Sequence, residues 1–353
     1  MQPKSFEFLK TLVEAPSPSG YEQPAAAVFR DYVTPIADSV STDVMGSVHA
    51  VLKGAEGGPS VMIAGHIDEI GFMVTYITDE GYCAFAPIGG HDPQILPGAR
   101  VDVHTKTGVL RGVLGRLPIH LLDEDERKKV VKMDRMFIDL GMDGEAVKRH
   151  VRIGDPVTYA VGMETFGDGM AVSRAFDDKM GAWIAAEVLR TVREAGGAAG
   201  DLIAAATVQE EIGLRGGTTS AYSQDPVVGI AVEVTHATDY LDVDKRKFGE
   251  VICGKGPAIS RGANINPRVF DLLCEAAEAE NIPYQVEGAP RGTGTDANVI
   301  QLARGGKAAA LVSVPLRYMH TPTEVLSLED LESTARLLST FVLRLKPDTD
   351  FTP

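Results

Sequence analysis

The sequence predicts an α/β fold: a mainly parallel mixed sheet sandwiched by helices, with a small β-barrel domain inserted into it. Helical periodicity opens the chain. Glycines and short β-type alternations fill residues 72–161, and strands alternate with helices from 162 onward. Alternating strands and helices are typical of a parallel sheet covered on both faces. We therefore expect one larger domain made of residues 1–71 and 162–353, interrupted by a β domain at 72–161.

Before the inserted domain, the first 36 residues predict two helices separated by the turn-rich segment PSPSG at 16–20. Two strands are expected to follow, at about 38–44 and 47–53. The uninterrupted apolar run at 61–65 is typical of a strand buried on both faces, as in a parallel sheet.

After the inserted domain, an apolar stripe at three- and four-residue spacing predicts a helix over about 178–195. The alternation continues to the end of the chain. The remaining predicted elements are strands at 201–208, 227–234 and 308–314, and helices at about 267–280 and 327–345.

The composition excludes several classes of function. The 353 residues carry a net charge of −15, which disfavours a nucleic-acid partner because a strongly acidic chain repels phosphate. No apolar run approaches the roughly 18 residues that a membrane span needs, so no membrane partner is expected. Three scattered cysteines and the absence of a signal-peptide pattern indicate a reducing, cytoplasmic location.

Polar side chains collect where the predicted strands of the larger domain end. Ligands of open α/β sheets bind beyond the carboxyl ends of the strands, so these side chains are expected to meet. A single histidine or acidic pair at the end of a strand is more often structural. The prediction rests on several such residues at the ends of different strands. The residues are His66 with Asp68, then Gln209, Glu210 and Glu211, then Glu233 and His320, with Asp177 and Asp178 beginning a helix.

Two imidazoles among at least three carboxylates predict a metal centre. Like charges packed together raise one another's pKa or require cations. Nitrogen and oxygen ligands without cysteine suit Zn, Co or Mn in a catalytic site, and two nearby ions need a bridging carboxylate. Two other functions are possible for the same residues. A pair of carboxylates also serves glycosidases, although one Trp offers little sugar stacking. A non-catalytic binding protein could keep the fold.

Eight segments, in order along the chain, resemble the M42 family of metallo-aminopeptidases, the glutamyl and tetrahedral aminopeptidases. Two of them, MFIDLGMDG (136–144) and VRIGDPV (151–157), resemble the family's inserted domain, which carries dimerisation and assembly contacts. The other six belong to the catalytic domain: AGHIDEIGFMV (64–74), RAFDDKMGAW (174–183), TVQEEIGLRGG (207–217), VEVTHATD (232–239), GTDANVI (294–300) and YMHTPTEV (318–325).

The resemblance implies two divalent metal ions per subunit and a role for each strand-end residue. Glu210 is the general base, and Asp68 holds the ring of His66 by accepting a hydrogen bond from it. Where the family more often has Asp, this chain has Glu233. The metal ligands are His66 for one ion, His320 for the other, Asp177 as the bridge, and Glu211 and Glu233 as terminal carboxylates.

The implied function is release of N-terminal amino acids from short peptides through a hydroxide that bridges the two metals. A carboxypeptidase or an N-acyl-amino-acid deacylase on the same scaffold is the alternative. The implied assembly is a hollow tetrahedral dodecamer built from dimers. The substrate pocket is expected to include Arg261, Arg291, Gly294, Thr295 and Asp296, although each arginine could equally lie at the surface.

Overall fold

Two separate hydrophobic cores divide the chain between a large α/β unit and a small barrel. The computed structural model describes residues 1–55 and 57–353. The larger core includes Met62, Ile63 and Trp183, and the smaller core includes Phe72 and Ile138. Within the described residues, no helix is both long enough and apolar enough to span a bilayer.

The strands belong to three sheets and are numbered along the chain. They are β1 (Ser39–Thr42), β2 (Val48–Leu52), β3 (Val61–His66), β4 (Gly71–Ile77), β5 (Tyr82–Ile88), β6 (Arg100–Thr105), β7 (Gly108–Gly115), β8 (Phe137–Asp139), β9 (Pro156–Tyr159), β10 (Glu164–Phe166), β11 (Met170–Ser173), β12 (Leu202–Thr207), β13 (Val228–His236), β14 (Ala258–Gly262), β15 (Gln285–Ala289), β16 (Ala308–Leu316) and β17 (Glu324–Ser327).

The helices cover the sheets and are numbered in the same way. Short 3₁₀ turns lie at Ile119–Leu121 and Met133–Arg135. The α-helices are α1 (Pro3–Glu14), α2 (Gln23–Val33), α3 (Glu124–Arg127), α4 (Gly144–His150), α5 (Phe176–Glu194), α6 (Arg215–Gln224), α7 (Lys245–Phe248), α8 (Pro267–Ala279), α9 (Ala297–Ile300) and α10 (Leu328–Arg344).

The main sheet has eight strands in the order β1-β2-β12-β3-β13-β16-β14-β15. Its centre is parallel, because β3 pairs in parallel with both β12 and β13, and β13 pairs in parallel with β16. The strands β1 and β2 on one side, and β14 against β16 on the other, are antiparallel. The predicted mainly parallel mixed sheet is confirmed.

The inserted segment forms a closed six-stranded antiparallel barrel in the order β4-β5-β8-β7-β6-β9. Closure satisfies every strand edge with a neighbour, which lets a short, glycine-rich segment form a stable sheet. The predicted barrel is confirmed, with strands running from Gly71 to Tyr159. The division of the chain into domains at 71/72 and 161/162 stays a prediction.

The structure adds elements that local patterns did not predict. Strands β10, β11 and β17 form a small antiparallel sheet that brings residues 324–327 beside residues 170–173. Strands β14 and β15 extend the main sheet at one edge. Their pairing joins residues far apart in sequence, so no periodicity within a single window could have indicated it.

Helix α5 lies unusually close to strand β3 because glycines face each other between them. A Cβ on Gly65 would lie 2.2 Å from the backbone nitrogen of Ala182 and 2.2 Å from the carbonyl carbon of Gly181. A Cβ on Gly181 would lie 2.5 Å from the carbonyl oxygen of Val232 in β13. The close packing brings the first turn of α5 down to the carboxyl ends of β3 and β13.

Replacing Gly65 by alanine should destabilise the protein, since both nearest atoms belong to the backbone and cannot rotate away. We expect a loss of at least about 2 kcal/mol in the free energy of unfolding, typical of overpacking against rigid neighbours. Gly305→Ala is the matched control, because its Cβ would meet no atom within 4 Å. Urea unfolding of both variants is the measurement, and equal stability of the two would contradict the close packing.

Candidate metal centre

The five residues predicted as metal ligands meet at the carboxyl edge of the main sheet. His66 ends β3, Glu233 lies in β13, and Asp177 lies in the first turn of α5. Glu211 follows β12, and His320 lies in the loop between β16 and β17. Because β3, β12 and β13 are parallel neighbours, their carboxyl ends open at the same edge.

The carboxylate of Asp177 lies between the two imidazoles. Its Oδ1 is 3.2 Å from Nε2 of His66, and its Oδ2 is 3.3 Å from Nε2 of His320. One oxygen therefore faces each histidine. This is the placement that a carboxylate needs if it is to bridge two ions, each of which also takes an imidazole nitrogen.

Further carboxylates complete a set of donors around each imidazole. Oε2 of Glu233 lies 3.7 Å from Nε2 of His66, and Oε1 of Glu211 lies 3.4 Å from Nε2 of His320. Ligands about 2 Å from a tetrahedral ion lie about 3.3 Å from one another, so these spacings suit cations. Donor atoms of His66, Asp177 and Glu211 lie within 4.8 Å of one another, which gives a compact group.

A second acidic residue, Asp178, adds to the negative charge. Its Oδ2 accepts the backbone N–H of His66 at 3.1 Å, while its buried Oδ1 has no hydrogen-bond partner among the described residues. Donor atoms of His66, Asp178 and Glu233 also lie within 4.8 Å of one another. A buried, unpaired carboxylate oxygen in this place fits a cation close by. The family resemblance assigns a ligand role to Asp177 and none to Asp178.

The buried carboxylates of the site lie close enough to repel one another strongly. Burial raises the pKa of Glu210 to about 8 and raises those of Glu211 and Glu233 above the usual range. Hydrogen bonds to Asp177 and Glu211 raise the pKa of His320 to about 11. Carboxylates this crowded attract either protons or cations. With their nitrogen and oxygen donors, these residues fit a site for divalent cations.

Asp68 organises the loop that carries Glu210 and Glu211. Its two carboxylate oxygens accept the backbone N–H groups of these residues at 3.0 and 3.1 Å, and Ser19 donates its hydroxyl at 2.6 Å. Its backbone oxygen lies 3.1 Å from Nδ1 of His66. A carbonyl can only accept, so Nδ1 carries the hydrogen and Nε2 is left to face the acids. The Asp68 carboxylate itself lies 3.5 Å from Nδ1.

Glu324 joins the backbone of Asp177 to that of His320. It is 2 % exposed, and its two oxygens accept the backbone N–H groups of Asp177 and His320 at 3.1 and 3.0 Å. The resemblance covered this residue within YMHTPTEV and assigned it no role. The sequence shows an acid four residues after His320. Its hydrogen bond with the backbone of Asp177 depends on the fold and has no local pattern.

A buried ion cluster anchors the start of α5 to the loop after β3. Glu69 pairs with Arg174 and, at 2.9 Å, with Lys179. Burial opposes ionisation of Glu69, but the two cations outweigh it and lower its pKa to about 2. The cluster joins the segment that follows His66 to the segments on either side of Asp177, so its cations support the positions of both.

The acidic site opens into a cavity of about 720 Å³. Three of the residues expected in the substrate pocket line this cavity: Arg291, Gly294 and Thr295. Arg261 does not line it and lies with its guanidinium 5.4 Å from the ring centre of Phe270. Asp296 is buried against Gly217, with Thr207 donating a hydroxyl to it at 2.7 Å. Burial raises the pKa of Asp296 to about 6.

The model of the M42 glutamyl aminopeptidase family matches residues 46–337, most of the chain. The chain belongs to the M42 family. It is a metallo-aminopeptidase and so a peptide hydrolase. The predicted family and enzyme class are confirmed, and the candidate metal-binding groups agree with a metalloenzyme of this family.

Individual relatives extend the M42 match over nearly the whole chain. It is 38% identical to the lysyl aminopeptidase of Pyrococcus furiosus, over 99% of both chains. The TET aminopeptidase of Thaumarchaeota archaeon SCGC AB-539-E09 superposes with a TM-score of 0.93 at 36% identity, over 98% of both chains. The TET1 peptidase of Pyrococcus horikoshii, which can assemble into a tetrahedron or a large octahedral shell, gives 0.85 at 29% identity, over 97% of this chain and all of that one.

Cations should stabilise this M42 protein more as the pH rises. Glu210, Glu211 and Glu233 have folded pKa values above those of unfolded carboxyls. Such groups stabilise the fold below their unfolded pKa and lose that contribution as the pH passes their folded pKa. The chelated protein should therefore lose stability from about pH 4.5 to about pH 8. Bound cations neutralise the repulsion, so their stabilising increment should grow over this range.

Thermal unfolding with and without Zn²⁺, Co²⁺ or Mn²⁺ at several pH values measures this increment. Potassium chloride of equal ionic strength is the control for screening of charge. An increment that shrinks as the pH rises would contradict the assignment of these carboxylates to a cation site.

Proposed function

We propose that this protein removes the N-terminal residue of short peptides with two divalent cations of the Zn, Co or Mn type. His66 and Glu233 would hold one ion, His320 and Glu211 the other, and Asp177 would bridge them. The observation that carries the proposal is the Asp177 carboxylate, with one oxygen 3.2 Å from His66 and the other 3.3 Å from His320. Few other functions require a buried carboxylate held in this way between two imidazoles.

When bound, the two cations would lower the pKa of a water molecule and polarise the scissile carbonyl. Glu210 is the residue that would take the proton from that water and return it to the leaving amine. Its Oε2 lies 3.7 Å from Nε2 of His66, at the edge of the donor set. Cations beside Glu210 would favour its ionised form, which is the form that can accept a proton.

Glu210 and Glu211 are neighbours, yet they can have different roles because Asp68 holds the backbone of both. The N–H groups of Glu210 and Glu211 both donate to its carboxylate. The side chain of Glu211 then faces His320, and that of Glu210 faces His66. We propose Asp68 as the residue that positions both the base and a ligand.

The charge of the site favours a free N-terminus over a C-terminus. Acids surround the place where the cations would lie, and a substrate α-ammonium is attracted to them while a C-terminal carboxylate is repelled. Arg291 is the one lysine or arginine among the described residues that line the cavity, and it is exposed on a loop. The M42 match disfavours the carboxypeptidase and N-acyl-amino-acid deacylase alternatives.

The match to the M42 metallo-aminopeptidases argues against the glycosidase and binding-protein hypotheses, and the site agrees. The single tryptophan, Trp183, is 1 % exposed in the core and cannot stack on a sugar. A binding protein would have no need for Glu210 beside a complete ligand set. Neither reading explains why the acids lie at metal-ligand spacings from two histidines.

We also propose that the chain assembles into a tetrahedral dodecamer built from dimers. A similar structure, PhTET1-12s, is a dodecamer, and the Pyrococcus horikoshii TET1 peptidase can assemble into a tetrahedron. A segment that follows β7 of the barrel exposes four apolar side chains, which suits a surface covered by another subunit. Light scattering should give about twelve times the monomer mass, and a monomeric mass would contradict the proposal. The four are Leu117, Ile119, Leu121 and Val130.

Replacing Glu210 by glutamine should separate catalysis from metal binding. The amide keeps the shape of the side chain but cannot take a proton, so we expect kcat to fall at least about 1,000-fold while two ions stay bound. Glu211→Gln is the matched comparison and should lose metal as well as activity. Elemental analysis and aminoacyl-p-nitroanilide turnover measure the two effects, and an active Glu210→Gln variant would remove Glu210 from the mechanism.

A substrate panel should distinguish the proposed activity from its alternatives. Free aminoacyl-p-nitroanilides should be cleaved after metal is restored, whereas N-acetylated versions and peptides trimmed from the C-terminus should not. Cleavage of N-blocked amino acids in preference to free ones would favour the deacylase instead.

A further inference from the structure

We propose that Glu287 recognises the side chain of the substrate's N-terminal residue and gives the enzyme a preference for lysine or arginine there. This inference rests on the proposed aminopeptidase function and names the substrate class for the same cavity. Glu287 lines that cavity but lies outside the set of proposed metal ligands.

The sheet register places Glu287 on the same face as the metal centre. In β13, Glu233 and Thr235 are two residues apart and so point to one face.

Glu233 pairs with Ser313 of β16, which pairs with Ala258 of β14. Two residues on in β14, Ser260 pairs with Glu287 of β15. Glu233, Ser260 and Glu287 therefore point to one side of the sheet, and all three line the cavity.

The edge of the sheet curls over this face and brings Glu287 inward. Both carboxylate oxygens of Glu287 lie 3.0 Å from the hydroxyl oxygen of Thr235, although β16 and β14 separate their strands in the sheet. Thr235 is 8 % exposed, so its hydroxyl is fixed. The Thr235 hydroxyl thus holds the Glu287 carboxylate in the cavity wall. Thr235 lies in β13, the strand that also carries the proposed metal ligand Glu233.

Glu287 lacks a positive partner within the protein. Across residues 1–55 and 57–353, no lysine, arginine or histidine nitrogen lies within 4.0 Å of its carboxylate, in contrast to Glu69 and Asp239. The Thr235 hydroxyl has one hydrogen and can satisfy one lone pair at a time. A half-buried carboxylate with open lone pairs on a cavity wall is a site for an incoming cation.

The distance from the metal centre suits a long basic side chain. Thr235 lies about 7 Å along the strand from Glu233, since alternate residues of a strand are that far apart. A substrate whose α-amine lies at the acidic centre would therefore reach Glu287 with the four-carbon stem of lysine or the longer side chain of arginine. Leu311 and Met319 also line the cavity and offer apolar contact to that stem.

Arg291 in the same cavity favours the opposite substrate, an acidic N-terminal residue. It is exposed in the glycine-rich loop after β15, and it makes no ion pair among the described residues. Glu287 lies in a strand and is held by a buried hydroxyl. A group fixed in place loses less entropy on binding, so Glu287 should dominate the choice of side chain.

Lysyl- and norleucyl-p-nitroanilide test the proposal, because their stems match and only lysine carries the charge. In Glu287→Gln, which keeps an oxygen for Thr235, kcat/KM for the lysyl substrate should fall about 10- to 100-fold. That for the norleucyl substrate should change less than about threefold, and the bound metal should stay at two ions. Glu280→Gln, on the exposed end of α8, is the control and should change neither. In Arg291→Gln, the lysine-to-norleucine ratio should stay unchanged or rise.

The outcomes separate this inference from the function it rests on. If the wild-type enzyme cleaves both substrates and Glu287→Gln leaves their ratio unchanged, Glu287 does not read the side chain, although the aminopeptidase stands. A wild-type preference for a glutamyl substrate that Arg291→Gln abolishes would also overturn it. If the metal-loaded wild type cleaves none of these substrates, the proposed function and this inference fail together.

Discussion

The structure depends on one interaction above the others: the Asp177 carboxylate lies between the imidazoles of His66 and His320, with one oxygen toward each. These residues come from a helix, a strand end and a loop separated by more than a hundred residues in sequence. Each alone would be an ordinary buried polar group. Held together, they create a concentration of negative charge and nitrogen donors that only protons or cations can satisfy.

Much of the surrounding fold serves to hold that arrangement. Facing glycines let α5 approach β3 closely enough to bring Asp177 to the end of the strand. Two further carboxylates act on backbone rather than on ions: Asp68 holds the N–H groups of the 210–211 loop, and Glu324 holds those of residues 177 and 320. Removing such a buried acceptor leaves two donors unsatisfied, so their effect exceeds that of an ordinary hydrogen bond.

The centre of the fold and the members of the candidate site were predictable because their signals are local. An apolar run followed by a polar residue marks a buried parallel strand and its carboxyl end. This pattern predicts His66, Glu211 and Glu233 as members of the site. The barrel was predictable from glycine-rich alternation. Family resemblance then supplied the choice of Asp177 over Asp178, which spacing alone had left open.

The remaining features depend on packing between distant segments. Strands β14 and β15 join the sheet edge through pairings that no single window contains, and Glu287 points into the cavity only because that edge curls. Arg261 belonged to the same region of sequence as the pocket, yet its side chain lies over Phe270 instead. The roles of Glu324 and of the Glu69 ion cluster likewise follow from neighbours more than a hundred residues away.

Diffraction from a metal-loaded crystal, recorded on both sides of the metal's absorption edge, tests the central claim most directly. We expect two anomalous peaks per subunit, one on each side of the Asp177 carboxylate, with one beside His66 and Glu233 and the other beside His320 and Glu211. No anomalous peak at the carboxyl edge of the sheet, or a single peak that Asp177 does not contact, would contradict it.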